Sequence, residues 1–439
     1  NYSRVRRLAS LHAGFLLDLK MDYQEFLKTK VPIGKLDGFE PVSDCPSWFK
    51  PHQVDCVHWA IRKGRAALFE AFGLGKTVQQ LQIAKWIHEH TGGKVLIIAP
   101  LGVRQEFTRN DGPRMGMSVK YCRTDAEVAA CDTPYVITNY ERVRDGGIDP
   151  TQFEGATLDE ASCLRSYGTK TTQQFAILFK SIKYRFVATA TPSPNEYIEL
   201  INYADFLGVM DRGQAMTRFF MRDSKKAGNL QLYPHEEERF WLWVASWALF
   251  VNRPSDLGYD DEGYALPDMV VKWHEVKGDM AIPGEYVDSK GQPMLFQKPG
   301  GGIKHVAKQR RKTKDARILK AADIIAEGAE DDHWIIWHYL ESERHDIHRV
   351  IPGSKAVYGS QDLEEREQLV SDFADGELQI LSRKPELLGS GCNFQRHCHK
   401  AIFIGPTDKF NDFIQAVHRI YRFLQDKPVE VDRKSTRLN

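Results

Sequence analysis

Apolar residues along this chain fall into short runs, and the polar stretches between them repeat every three to four residues. Between residues 47 and 205, "AALFEA", "KVLIIAP", "PYVITNY", "GATLDEA" and "YRFVATATP" read as strands, and "TVQQLQIAKWIHEH" reads as a helix. Apolar strands separated by helices predict a parallel sheet covered on both faces. The alternation resumes at residue 313. There "TKDARILKAADIIAEG", "REQLVSDFADG" and "FNDFIQAVHRIYRF" have the helical rhythm, and "HWIIWHY", "LQILS", "KAIFIGP" and "KPVEVD" read as strands. Residues 206–275 are aromatic. Phe240, Trp243, Val244, Trp247 and Val251 recur at helical spacing, so a buried amphipathic helix is expected across "FWLWVASWALFV". Residues 276–312 are rich in Gly and Pro, then basic, and read as a linker. The expected class is α/β: units at 47–205 and 313–432 with a helical insert at 206–275.

The ends read differently from the body. Residues 1–46 form an N-terminal extension in which Met21 opens "MDYQEFLKTKV" as a natural start, so residues 1–20 and the tail 433–439 are expected to be foreign. No convincing signal-peptide cleavage site follows the first arginines, and the most apolar run is too short to cross a membrane. Seven dispersed cysteines without a CxxC pair suggest reduced thiols and a cytoplasmic protein. In "GCNFQRHCHK", Cys392, His397, Cys398 and His399 are read as thiols beside a polar turn in preference to a metal site. With 60 Lys and Arg against 59 Asp and Glu, nucleic-acid binding would need a local patch. Residues 301–320 supply one, eight basic side chains against Asp315, a net of +7. Arg310, Arg311 and Lys312 are its candidate phosphate contacts.

Candidate chemistry starts at "ALFEAFGLGKT". Gly73 and Gly75 permit the backbone angles that let successive N–H groups surround phosphate oxygens, and the following helix N-terminus adds partial positive charge. Lys76 is placed to reach the β- and γ-phosphates, and Thr77 to hold Mg²⁺. Glu70 stands where the first glycine of GxxxxGK[ST] would be. "LDEAS" ends an apolar run and provides two carboxylates, Asp159 for Mg²⁺ and Glu160 to orient and deprotonate water. Thr189 and Thr191 in "TATP" end the next strand and could couple the acidic pair to the second unit. There, "QAVHRIYRF" is expected to carry Gln415, Arg419 and Arg422 on one helix face, and two guanidinium groups suit a phosphoryl group with developing charge.

The order of these motifs resembles that of superfamily-two DEAD/DEAH-box helicases, specifically the Swi/Snf-like translocases. "HQ" places Gln53 at the family's adenine-reading glutamine, and "EAFGLGKT" is similar to its acidic-x-x-GLGKT loop, which accounts for Glu70. "LIIAP" and "ITNYE" fall at motifs Ia and Ib, "LDEAS" at the DEAH box with Ser162 in place of His. "TATPSPN" resembles motif III, "GSGCNFQ" motif V and "QAVHRIYRFLQ" motif VI. The resemblance spans about residues 47–432, and a phage or mobile-element subgroup looks similar. Two departures stand out: His418, where many members have an acid, and Leu424, where the usual ending is RxGQ.

The resemblance implies two RecA-like domains, ATP and Mg²⁺ as ligands, and duplex DNA as partner, with Asn139 and Asn393 as further nucleic-acid candidates and Gly391 as a coupling position. It also suggests a DNA methyltransferase or another mobile-element protein as partner, in a bacterial host or phage-infected cell. Other readings stay open: an ATP-gated binding module with little turnover, or an RNA helicase. A transporter- or signalling-type ATPase would need an LSGGQ-like or NKxD motif, and the sequence has neither.

Overall fold

The structure is a computed structural model. It describes residues 34, 36–193, 196–222, 230–276, 313–385, 393–405 and 410–435. Residues 1–33, the basic segment with Arg310, Arg311 and Lys312, and Gly391 lie outside the described residues. The chain divides into two compact units, Asn1–Tyr264 and Ala265–Asn439.

The first unit is built on a seven-stranded sheet in the order β3-β4-β2-β5-β6-β1-β9. Its strands are β1 (Arg65–Glu70), β2 (Val95–Ile98), β3 (Val119–Tyr121), β4 (Tyr135–Thr138), β5 (Gly155–Asp159), β6 (Tyr184–Ala188) and β9 (Ala248–Val251). All pair in parallel. The strands β2, β4, β5 and β6 are buried along their whole length, which is why they appear in the sequence as continuous apolar runs instead of alternating ones. One face packs against α1 (Pro51–Lys63) and α2 (Lys76–Thr91) through Ile61, Leu81, Trp86 and Ile87. The other packs against Phe175, Phe206, Phe240 and Trp243. Each such fully buried side chain contributes on the order of 2 kcal/mol relative to exposure.

The stretch expected as one helix over 240–251 is a helix followed by a strand. Helix α4 (Glu237–Ala245; α3 is Tyr140–Arg144) ends where the Ser246 hydroxyl turns back to the Trp243 carbonyl at 2.7 Å. Residues Ala248–Val251 then pair with β1. Helical spacing and a short apolar strand are hard to separate over four residues; the open edge of β1 decides. The hairpin of β7 (Phe220–Arg222) and β8 (Leu230–Leu232) precedes α4. Residues 206–264 therefore belong to the first unit, where composition had set them apart as an insert.

The second unit has a six-stranded sheet in the order β10-β15-β14-β11-β13-β12, again all parallel. Its strands are β10 (Met269–Glu275), β11 (His333–Trp337), β12 (Lys355–Val357), β13 (Ile380–Arg383), β14 (Cys398–Phe403) and β15 (Val429–Ser435). The helices are α5 (Lys314–Ala326), α6 (Glu341–Val350), α7 (Leu363–Ala374) and α8 (Phe410–Val417). The α/β class with two parallel sheets flanked by helices is as expected from sequence.

Candidate active site

Because every strand of the first sheet runs the same way, the carboxyl ends of β5, β6 and β1 lie side by side along one edge. In such sheets that edge is where ligands bind. Asp159 ends β5, Ala188 with Thr189 after it ends β6, and Glu70 ends β1.

From Glu70 the chain turns through residues 71–75 into α2. Gly73 and Gly75 both have φ of 88°, a region that side chains disfavour. At Gly75 a Cβ would also stand 2.2 Å from Gln53 Nε2, so a side chain there would displace that amide as well as strain the backbone. Two side-chain amides converge on the Leu74 carbonyl: Gln53 Nε2 donates at 2.9 Å and Gln79 Nε2 at 3.2 Å. Gln53 is itself held by the Lys50 N–H, which donates to its Oε1 at 3.0 Å. Lys76 Nζ donates to the carbonyls of Glu70 and Ala71, both at 2.9 Å, so its ammonium is turned into the loop. Thr77 follows in the first turn of α2, half-buried.

Glu70 explains the departure from the glycine pattern. Its carboxyl is buried inside the unit and accepts a hydrogen bond from Gln79 Nε2 at 2.8 Å, wiring the end of β1 to α2. Burial pushes this carboxyl up to about 7, against the lowering effects of the Lys76 charge and of hydrogen bonds with Gln79 and Cys56.

Asp159 and Glu160 are each held by neighbours. Gln80 Nε2 donates to Asp159 Oδ1 at 2.8 Å, and the Tyr140 hydroxyl donates to the Asp159 carbonyl at 2.7 Å. Glu160 is buried and has φ of 47°, one of two non-glycine residues in the left-handed region among those described. Such a conformation costs roughly 1–3 kcal/mol and persists where surrounding structure imposes it, often at functional positions. Thr189 Oγ1 lies 3.5 Å from Glu160 Oε1 and accepts the Thr191 N–H at 3.2 Å. The main chain of Thr191 is thus linked through the Thr189 hydroxyl to Glu160. A hydroxyl at Thr77 and a carboxylate at Asp159 are hard oxygen donors of the kind Mg²⁺ takes, so the residues present fit that ion.

Asn139 caps α3 at the carboxyl end of β4. It accepts from the Tyr121 hydroxyl at 3.1 Å and donates to Glu141 at 2.6 Å.

In the second unit the motif expected as a single helix over 410–423 is shorter. Helix α8 ends at Val417, so Gln415 is helical while Arg419 and Arg422 lie in the turns that follow. Local and long-range hydrogen bonds hold the turns beyond it. His418 Nδ1 pairs with the Tyr421 carbonyl at 2.8 Å, and the Phe394 N–H donates to the Arg419 carbonyl at 3.0 Å. Gln425 Nε2 donates to the carbonyls of Cys398 at 3.1 Å and Ile420 at 2.8 Å. Gln395 Nε2 reaches the Phe423 carbonyl at 3.2 Å. Arg419 is buried and Arg422 half-buried. Leu424, where the family pattern has glycine, has φ of 72° and is exposed. Asn393 lies just before this Phe394. Cys398 is a buried thiol pushed up to about 12 by burial, and no group of three metal-ligating side chains occurs among the described residues.

Residues 52–228 match the SNF2-related domain. The SNF2-related domain thus takes in Gln53, the glycine loop, Asn139, the acidic pair and both threonines; Gln415, Arg419 and Arg422 lie beyond the matched stretch. The chain is also similar to a solved structure from Sulfolobus solfataricus, a SWI2/SNF2 ATPase core in complex with dsDNA. That likeness covers 92% of this chain and 90% of the other at 18% identity, with a TM-score of 0.44. The curated proteins contain no match. No helix among the described residues is long and apolar enough to cross a membrane.

Reading the sequence for motifs missed Gln79, Gln80, Thr157 and Tyr140. One signal was present: "VQQLQ" puts three glutamines within four residues of a helix, and all three are buried.

Proposed function

We propose that the chain is a Mg²⁺-dependent ATPase of the DNA-translocase type, a Swi/Snf-like member of superfamily two that moves along or remodels duplex DNA. The observation carrying this reading is the single sheet edge that holds the glycine loop with Lys76, the Asp159–Glu160 pair and Thr189. Lys76 leaves the loop carbonyls to bind β- and γ-phosphate oxygens, and Gln53 reads the adenine beside the loop. Thr77 and Asp159 would hold Mg²⁺, which would supply charge neutralisation to the triphosphate. Glu160 takes a proton from the attacking water. Arg419 and Arg422 of the second unit, with Gln415, are assigned to the γ-phosphate, where added guanidinium charge accelerates hydrolysis on the order of 10³-fold or more. Gly391, Thr189 and Thr191 are assigned to coupling. Asn139, Asn393, Arg310, Arg311 and Lys312 are assigned to the nucleic-acid backbone. A mobile-element setting, with a DNA methyltransferase as partner, is part of the same reading.

The test is phosphate release measured side by side with no nucleic acid, single-stranded DNA, duplex DNA and RNA. Duplex DNA is expected to give the largest stimulation, and Lys76→Ala or Glu160→Gln to abolish it. Turnover that is equal under all four conditions in a folded sample would leave the reading without support.

A further inference from the structure

Two buried side chains that the reaction as proposed does not use form a chain of hydrogen bonds ending on Asp159 of the acidic pair. Thr157, on β5, donates its hydroxyl to Gln80 Oε1 at 2.7 Å, and Gln80, on α2, donates its Nε2 to Asp159 Oδ1 at 2.8 Å. Thr157 and Gln80 have no exposed surface and Asp159 is 6% exposed. Thr157 and Asp159 are two apart on one strand, so their side chains point to the same face. Gln80 is one turn beyond Lys76 and Thr77 on α2. Both ends of the amide are engaged, one as acceptor and one as donor, which fixes its orientation: a flipped amide would set its carbonyl against the carboxylate. The main chain of Asp159 is fixed separately, by the Tyr140 hydroxyl on its carbonyl.

We propose that Gln80 is a positioning residue for the metal-binding carboxylate. Anchored by Thr157, and with the Asp159 main chain held by Tyr140, it fixes the carboxylate relative to the helix that carries Thr77. The helix carrying the loop lysine and Thr77 therefore also sets the angle of the carboxylate on β5, and the two metal donors move as one body. Partners that orient a metal ligand in this way are worth about 10–100-fold in metal affinity. This inference rests on the assignment of Asp159 and Thr77 to Mg²⁺.

The experiment follows binding of a fluorescent ATP analogue to the full chain across a Mg²⁺ titration, and again without divalent cation. Gln80→Met keeps the volume and removes both hydrogen bonds. It is expected to raise the Mg²⁺ concentration at half-saturation about tenfold while leaving metal-free nucleotide affinity unchanged. Thr157→Val leaves Gln80 in place without its second anchor and is expected to shift the same midpoint by a smaller factor; it decides the matter if Gln80→Met does not fold. A packing role alone would lower the melting temperature and leave the Mg²⁺ midpoint in place, and that result overturns the inference. If the unmodified chain binds nucleotide with no dependence on Mg²⁺, the assignment of Asp159 fails and the inference fails with it. The control without substitution separates the two cases.

Discussion

The two units place buried polar groups at the carboxyl edge of an all-parallel sheet, and they use them differently. In the first unit the network runs between elements of the proposed site: Glu70 and Gln79 tie β1 to the loop helix, and Gln80 ties that helix to Asp159. In the second unit, Arg317 on α5 and Glu343 on α6 form an ion pair at 2.8 Å, each 1% exposed. That pair is sealed from solvent and draws in further partners. The guanidinium also reaches the Ile404 carbonyl at 2.7 Å and the Thr313 hydroxyl at 3.1 Å. The carboxylate accepts the N–H groups of Tyr339 at 2.9 Å and Leu340 at 3.0 Å. In the first unit the buried hydrogen bonds lead to the carboxylate proposed to hold the metal, and in the second they tie α5, α6 and the end of β14 together.

Breaking the sealed pair should give the largest effect on stability. Arg317→Ala leaves a buried carboxylate uncompensated and is expected to cost about 3–5 kcal/mol, read as a lower urea midpoint. Loss of less than about 1 kcal/mol would show that the pair is no scaffold.

Acidity should separate the units next. Glu70 has its folded value raised from 4.5 to about 7, so its contribution is fully present below about 4.5 and is lost as pH rises through 7. His338, buried at the end of β11, is lowered from 6.5 to about 4, first by burial and then by Lys384 and Arg344 against the opposing charges of Glu343 and Glu341. Its contribution is present above 6.5 and is lost as pH falls through 4. The two groups push in opposite directions across the same range. Urea midpoints from pH 4 to 8 should lose their decline toward neutrality in Glu70→Gln and their decline toward acid in His338→Leu. Profiles that overlay the unmodified chain would contradict both assignments.

The smallest effect sharpens the comparison at one backbone position. Leu424 occupies a left-handed conformation that costs a non-glycine residue roughly 1–2 kcal/mol, so Leu424→Gly should raise stability by about 1 kcal/mol after the added unfolded-chain entropy. A lowered melting temperature would mean that the Leu424 side chain contributes more than its backbone strain removes.

How much of this was legible before the structure differs by element. The buried strands announced themselves as uninterrupted apolar runs, and the loop by its glycines and lysine. The aromatic stretch 240–251 did not, because its helix gives way to a strand only through pairing with β1. The end of α8 did not either: amides of Gln395 and Gln425, distant from it in sequence or beyond its end, fix the turns that carry Arg419 and Arg422. The run of glutamines marked Gln80, but not its role, because its partners Thr157 and Asp159 lie 77 and 79 residues away and no local rule pairs them.

The proposed function stands or falls on Arg419, the guanidinium assigned to the γ-phosphate. Comparing ATP affinity with turnover in Arg419→Ala tests it most directly. Affinity is expected to stay close to that of the unmodified chain while turnover falls on the order of 10³-fold. Weakened nucleotide binding with hydrolysis retained would contradict it.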